Sequence, residues 1–172
     1  HVAEEESYSV NVDSSVVNWE GKKLAGSHAG VVKIQIGTVS VLNGVVSGAD
    51  VVIDLTTIQE LGADSAYAVK LVGHLASPDF FNVDSFPTAT IVVTEVKDGN
   101  AKADLTIKGK TKSIEFPAVT VVSEGNVTVQ ASFTINRTDW GIVYGSGNFM
   151  DLAKDKVIND DISFSVNLSA KK

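Results

Sequence analysis

Apolar and polar residues alternate at every second position through most of this chain, and no other feature limits its fold as much. Successive side chains of a β-strand point to opposite faces, so such runs describe strands with one buried and one solvated side. In "AKADLTIK", Ala101, Ala103, Leu105 and Ile107 share a face, and Lys102, Asp104, Thr106 and Lys108 the other. "NVTVQASFTIN" groups Val127, Val129, Ala131, Phe133 and Ile135; "DISFSVNLS" groups Ile162, Phe164, Val166 and Leu168. Tyr8, Val10 and Val12 alternate in the same way, as do Val32, Ile34 and Ile36, with His28 on their face. Asn43-Gly44, Asp98-Gly99-Asn100, Lys108-Gly109-Lys110 and Glu124-Gly125-Asn126 separate the runs. Tight turns of this chemistry join antiparallel strands, never parallel ones. The pattern predicts roughly eight to ten antiparallel strands, which close into a barrel or fold into a sandwich.

One segment leaves the period. In "ADSAYAVKLVGHLA", Ala68, Leu71, Val72 and Leu75 follow helical spacing, with Asp64 as N-cap and Pro78 as the stop. The helix runs into "HLASPDFFNVDSFPTAT", where three of the seven phenylalanines, Phe80, Phe81 and Phe86, crowd between two prolines. Large rings in a loop must cover something. The excursion from about residue 56 to 87 suits a lid over one end of a barrel, its rings capping or lining a cavity; the plainer reading is that they plug a core.

Composition narrows the classes. Residues 1–172 read as one domain, without repeat or linker. Apolar residues make up 44% and charged residues 20%, which argues against disorder. The 14 Lys and Arg face 21 Asp and Glu, for a net charge of −7, so nucleic acid is a poor partner. Cysteine is absent, which removes disulfide and thiolate chemistry. The chain lacks an apolar run long enough for a spanning helix, so stable membrane insertion is not expected. It opens "HVAEEESYSV", without Met, which reads as an end left after removal of a signal peptide, a cloning remnant being the alternative.

Catalytic signatures do not assemble. "GKT" at Gly109–Thr111 mimics the end of a phosphate loop, but Asp104 stands where the first glycine is needed, and the tripeptide lies between strands. Gly145-Ser146-Gly147 starts a dinucleotide-like pattern that fails at Met150. There is no Gly-x-Ser-x-Gly elbow. The three histidines lack metal-ligand spacing.

Several motifs in order carry a resemblance: "YSVNVDSSVVNWEGKKLAGSHAGVVKI", then "HLASPDFFNVDSFPTAT", "ADLTIKGKTKSIEFPA" and "INRTDWGIVYGSG". The chain resembles the YceI-like, lipocalin-like family of bacterial polyisoprenoid-binding proteins along nearly its whole length. The resemblance implies an all-β fold, an extended eight-stranded antiparallel barrel with a short helix and loop near one end. It implies binding of an isoprenoid, quinone-type or similar long-chain lipid inside the barrel, no further cofactor and no metal, and periplasmic or secreted residence; a homodimer stays open. Two departures from the family pattern stand out, Asn82 for an expected Asp and Ile91 for an expected Phe.

The candidate ligand-binding residues follow from the inward faces, the ring-rich loop and the family motifs. Trp19, Ile34, Leu75, Phe80, Phe81, Phe86, Ala103, Leu105, Phe133 and Phe164 are expected around the cavity. The small residues Ala101, Ala103 and Ala131 are expected to leave the space. His28, His74, Arg137, Trp140 and Tyr144 are the polar candidates for its mouth. Arg137 is expected to pair with Asp139 or another carboxylate, and Tyr144–Gly147 to make a turn. Two rival functions remain: an enzyme acting on a lipid-like substrate with His28 or His74 as acid or base, and a structural or adhesion module without a ligand.

Overall fold

The computed structural model describes residues 4–23, 26–62, 65–149, 152–153 and 156–172. Its strands are β1 (Glu5–Val10), β2 (Val16–Lys23), β3 (Gly26–Leu42), β4 (Val45–Glu60), β5 (Thr88–Lys97), β6 (Asn100–Ile107), β7 (Lys110–Ser123), β8 (Asn126–Asn136) and β9 (Ile158–Lys171), with one α-helix, α1 (Ser65–Ala76), between β4 and β5. All pairings are antiparallel, and β3–β4 closes the ring. The barrel has eight staves because β1 and β2 share one. β1 pairs with the far half of β3, Glu5 opposite Leu42, and β2 with its near half, Val17 opposite Val32. Both halves also pair with β9. Val12, expected as a third inward residue of β1, lies in the break between the halves and is 37% exposed.

Turn chemistry places the hairpins. Asn43-Gly44, Asp98-Gly99, Lys108-Gly109 and Glu124-Gly125 all have positive φ at both positions, the two-residue geometry whose twist matches the flanking strands. The barrel ends are therefore unequal. One holds the turns at 43–44, 98–99 and 124–125. The other holds the connection over 61–87, the turn at 108–109 and the connection over 137–157.

At that second end α1 lies across the opening, turning Ala68, Leu71, Val72 and Leu75 away from full exposure as the spacing predicts. The predicted cap, Asp64, falls outside the described residues. The ring-rich loop folds back on the end of α1: Phe81 N–H donates to the Leu75 carbonyl at 3.0 Å and Val83 N–H to that of Ala76 at 2.8 Å. These bonds occupy carbonyls that a helix end leaves open. Asn82 adopts φ 48°, a left-handed conformation that asparagine tolerates well. Lys108 Nζ donates to the Pro78 carbonyl at 2.8 Å and ties the loop to the neighbouring turn.

Strict alternation fails in β3 with consequence for one predicted residue. The β3–β4 register shifts between Ile34 and Ile36. A bulge adds one residue to one strand, so inward parity changes there. Before it Val32 and Ile34 are buried; after it Gly37, Val39 and Val41 are, and Ile36 is 62% exposed. Ile36 was expected inward, and the bulge is why it is not.

Candidate functional site

The inward side chains do not fill the barrel. A cavity of about 410 Å³ runs in from the helix end, walled by Val17, Val32, Val51, Ile53, Leu55, Ala89, Val93, Val129, Val166 and Leu168, among others. At the hairpin end, buried Tyr8, Val10, Val39, Val41, Val46, Val127 and Ala170 belong to the packed core and take no part in this wall. The cavity is thus a blind tunnel.

A belt of rings crosses its wall. Phe116 stacks on Phe133 with centroids 4.9 Å apart, and Phe133 lies 5.4 Å from Phe164. Phe164 is registered with Trp19, and Trp19 with Gly30. Gly30 is obligatory there: a Cβ would overlap the Gln59 carbonyl oxygen and come within 2.7 Å of Trp19 Cζ2. The Trp19 Nε1–H is buried and has no hydrogen-bond partner among the described residues. Below the belt, Ala131, Val166, Val17 and Val32 form the next row across β8, β9, β2 and β3. Its small side chains keep the bore open.

The predicted residues divide clearly. Trp19, His28, His74, Leu75, Phe80, Phe81, Leu105, Phe133, Arg137, Tyr144 and Phe164 border the cavity. Ile34, Phe86, Ala103 and Trp140 do not. Ile34 is buried in the core beside it. Phe86 is half-buried and covers Gly109, where a Cβ would lie 2.9 Å from its ring. Ala101 and Ala103 do leave room, but Phe116, opposite Ala101, occupies it, so of the three expected alanines only Ala131 borders the tunnel. Phe116 could have been read from the alternation Ile114, Phe116, Ala118, which Pro117 obscures. Trp140 is 2% exposed, and its Nε1–H donates to the Leu105 carbonyl at 3.0 Å, anchoring a 3₁₀ turn (Arg137–Trp140) to β6.

Polar groups gather at the mouth. His28 Nδ1 lies 3.8 Å from Glu60 Oε1, and its ring packs 5.4 Å from Tyr67 on α1. His28, expected to be buried, keeps its side chain 28% exposed because it stands at this rim. His74 Nε2 lies 3.0 Å from Asp79 Oδ2, and its ring meets Phe80 and Tyr144 edge-on at 4.9 and 4.7 Å. These contacts hold α1 and both long connections together over the opening.

Arg137 is the buried charge of the site. Its side chain is 1% exposed. Nε donates to the Asn159 carbonyl, Nη1 to that of Ile142 and Nη2 to that of Ile158, at 3.1, 2.9 and 3.1 Å. The neighbouring carboxylate is Asp160, 4.0 Å away, rather than the exposed Asp139. Burial pushes the guanidinium pKa down, and Asp160 partly offsets this; arginine stays charged regardless. Its guanidinium carbon sits 5.7 Å from the Phe80 ring centroid, a cation–π contact. Arg137 is therefore a clamp between two connections whose charge reaches the tunnel wall.

Sequence reasoning missed Lys22, Lys23 and Lys156, which also border the cavity. Ile91, the position expected to carry a ring, lines it as well, and its smaller side chain leaves more bore. Among the described residues no group of three or more His, Cys, Asp or Glu could hold a metal, and no helix is long and apolar enough to cross a membrane.

The architecture recurs in known proteins. The YceI-like domain model matches residues 8–170. UPF0312 proteins of Staphylococcus aureus strains MSSA476 and MW2 are each 35% identical over 105 residues, covering 55% of this chain and 61% of theirs. The chain thus spans less than two thirds of the length of these relatives. The crystal structure of Burkholderia cenocepacia BcnA superposes with a TM-score of 0.76 at 22% identity, over 94% of this chain and 99% of that one. A polyisoprenoid binding domain from Saccharophagus degradans, implicated in plant cell wall breakdown, superposes with a TM-score of 0.69 at 18% identity, over 95% and 97%. At these identities the two structures speak for the fold.

Proposed function

The chain belongs to the YceI-like domain family, and from that premise we propose that it is a non-enzymatic carrier of a long-chain amphiphilic lipid of the isoprenoid or quinone type. The tail lies in the tunnel and the head group at the mouth. One observation carries the reading: a blind cavity of about 410 Å³, predominantly apolar along its wall, with its charged side chains at the mouth, open toward the helix end. Water gains few hydrogen bonds from such a wall, whereas each buried CH₂ contributes about 0.8 kcal/mol. The polyisoprenoid binding domain of Saccharophagus degradans, with its shared fold, supports the ligand class. Residence in the periplasm or outside the cell is part of the same proposal, since a carrier between membranes works there.

Organic extraction of protein purified from cells, followed by mass spectrometry, should return an amphiphile with a long apolar chain in near-stoichiometric amount. Protein that carries none, and takes up none when offered a range of chains, would sink this reading.

A further inference from the structure

The chain carries 21 acidic and 14 basic side chains, yet every charged side chain lining the tunnel among the described residues is a cation: Lys22, Lys23, Arg137 and Lys156. Their placement is not scattered. Lys23 ends β2 opposite Ile158 of β9. Arg137 Nη2 donates to the carbonyl of that same Ile158. Lys156 lies two residues earlier in the chain. Three cations therefore converge on one side of the mouth, around a residue that itself lines the tunnel.

Among the described residues, the nearby carboxylates face groups other than Lys23 and Lys156, and Asp160 faces Arg137 itself. Glu60 Oε1 accepts the Gly62 N–H at 2.8 Å and faces His28. Asp79 faces His74. Asp160 Oδ2 accepts from Asn148 Nδ2 at 2.7 Å, and its Oδ1 stays 4.0 Å from Arg137. Lys22 has Glu20 at 3.5 Å. Lys23 and Lys156 form no salt bridge among the described residues, and both are exposed. Solvated lysines on an open surface contribute little. Here they ring a concave apolar opening, whose low-dielectric walls focus the field on whatever stands in it.

We infer that the mouth selects an anionic head group, a phosphate or carboxylate, with Lys23 and Lys156 as its direct partners and Arg137 as the fixed charge behind them. This rests on the lipid reading above and narrows it, since a neutral quinone ring would offer Lys23 and Lys156 no opposite charge. The apolar tail anchors the ligand, and the cations decide which tail-bearing molecule stays.

Farnesyl phosphate and farnesol share a tail that suits the tunnel and differ in charge at the head, so calorimetric titration with both is the test. At about 20 mM salt the phosphate should bind about ten-fold more tightly than the alcohol, and at about 500 mM the advantage should shrink to about two-fold, as screening predicts. In a Lys23→Gln, Lys156→Gln double variant with an unchanged melting temperature, the ratio of the two affinities should fall to about one at low salt. A ratio near one in the unaltered protein, or a ratio that survives the double substitution, would overturn the assignment while leaving the lipid reading intact. Failure of both ligands to bind would remove both proposals. Inorganic phosphate alone, at millimolar concentration, should not compete; displacement of farnesyl phosphate by it would assign the cluster to a free anion instead.

Discussion

Lengthening a bound chain carbon by carbon measures the tunnel directly. An engineered apolar cavity of about 150 Å³ accommodates benzene, six carbons. By that scale the 410 Å³ found here accommodates about 16 carbons, close to three isoprene units. Each added CH₂ contributes about 0.8 kcal/mol before ordering costs, about four-fold in affinity. Freezing the added rotor reduces this, so about two-fold per carbon is expected. A series of linear alcohols of about 8 to 22 carbons, in competition with a fluorescent fatty-acyl probe, should show affinity rising to about 16 carbons and then levelling. The plateau comes from the blind end, where Val39, Val41, Val46 and Val127 are packed into the core. Ala131→Phe adds a ring to the row below the aromatic belt, so it should bring the plateau down to about 10 carbons. Affinity that climbs unabated past about 20 carbons would mean that the tunnel runs through. A plateau unmoved by Ala131→Phe would mean that the chain does not pass that row.

Three further outcomes follow from the packing. Gly30→Ala should cost more than about 3 kcal/mol in urea unfolding, because the new Cβ meets backbone that cannot turn away; a cost under about 1 kcal/mol would show that the Gln59 carbonyl does not lie over this position. Trp140→Phe should destabilise by about 2 kcal/mol, since it removes the bond to the Leu105 carbonyl, and Trp19→Phe should cost less because its Nε1–H has no partner to lose; melting temperatures in the opposite order would contradict the placement of the two rings. Phe81→Asp sets a carboxylate in the tunnel wall and should lower the lipid retained per folded molecule several-fold. Phe86→Ala, outside the wall, should leave that ratio within about two-fold, and equal losses from both would show that the loop acts only through stability.

Much of the fold was legible because it is local. Two-residue turns with positive φ at both positions favour Asn or Asp followed by Gly; Asn43-Gly44 and Asp98-Gly99 fit this fully, and Lys108-Gly109 and Glu124-Gly125 supply the glycine at the second position. Alternation assigned the faces of β6, β8 and β9 residue by residue, since period two is a property of each strand alone. The helix was legible for the same reason, from a change of period. The family motifs extended this to the eight staves and to the ring-rich loop.

What remained depends on which strand lies beside which. The bulge that turns Ile36 outward appears only in the pairing of β3 with β4. Phe116 takes the space of Ala101 because β7 is registered against β6, and Phe86 leaves the cavity because Gly109 on a distant turn offers it a seat. Lys22, Lys23 and Lys156 read as ordinary solvated charges until the pairing of β2 with β9 brings the end of β2 and the connection before β9 to one rim. A chain's pattern assigns each side chain to a face, but a void is the volume left over when residues far apart in sequence meet, and that remainder exists only in three dimensions.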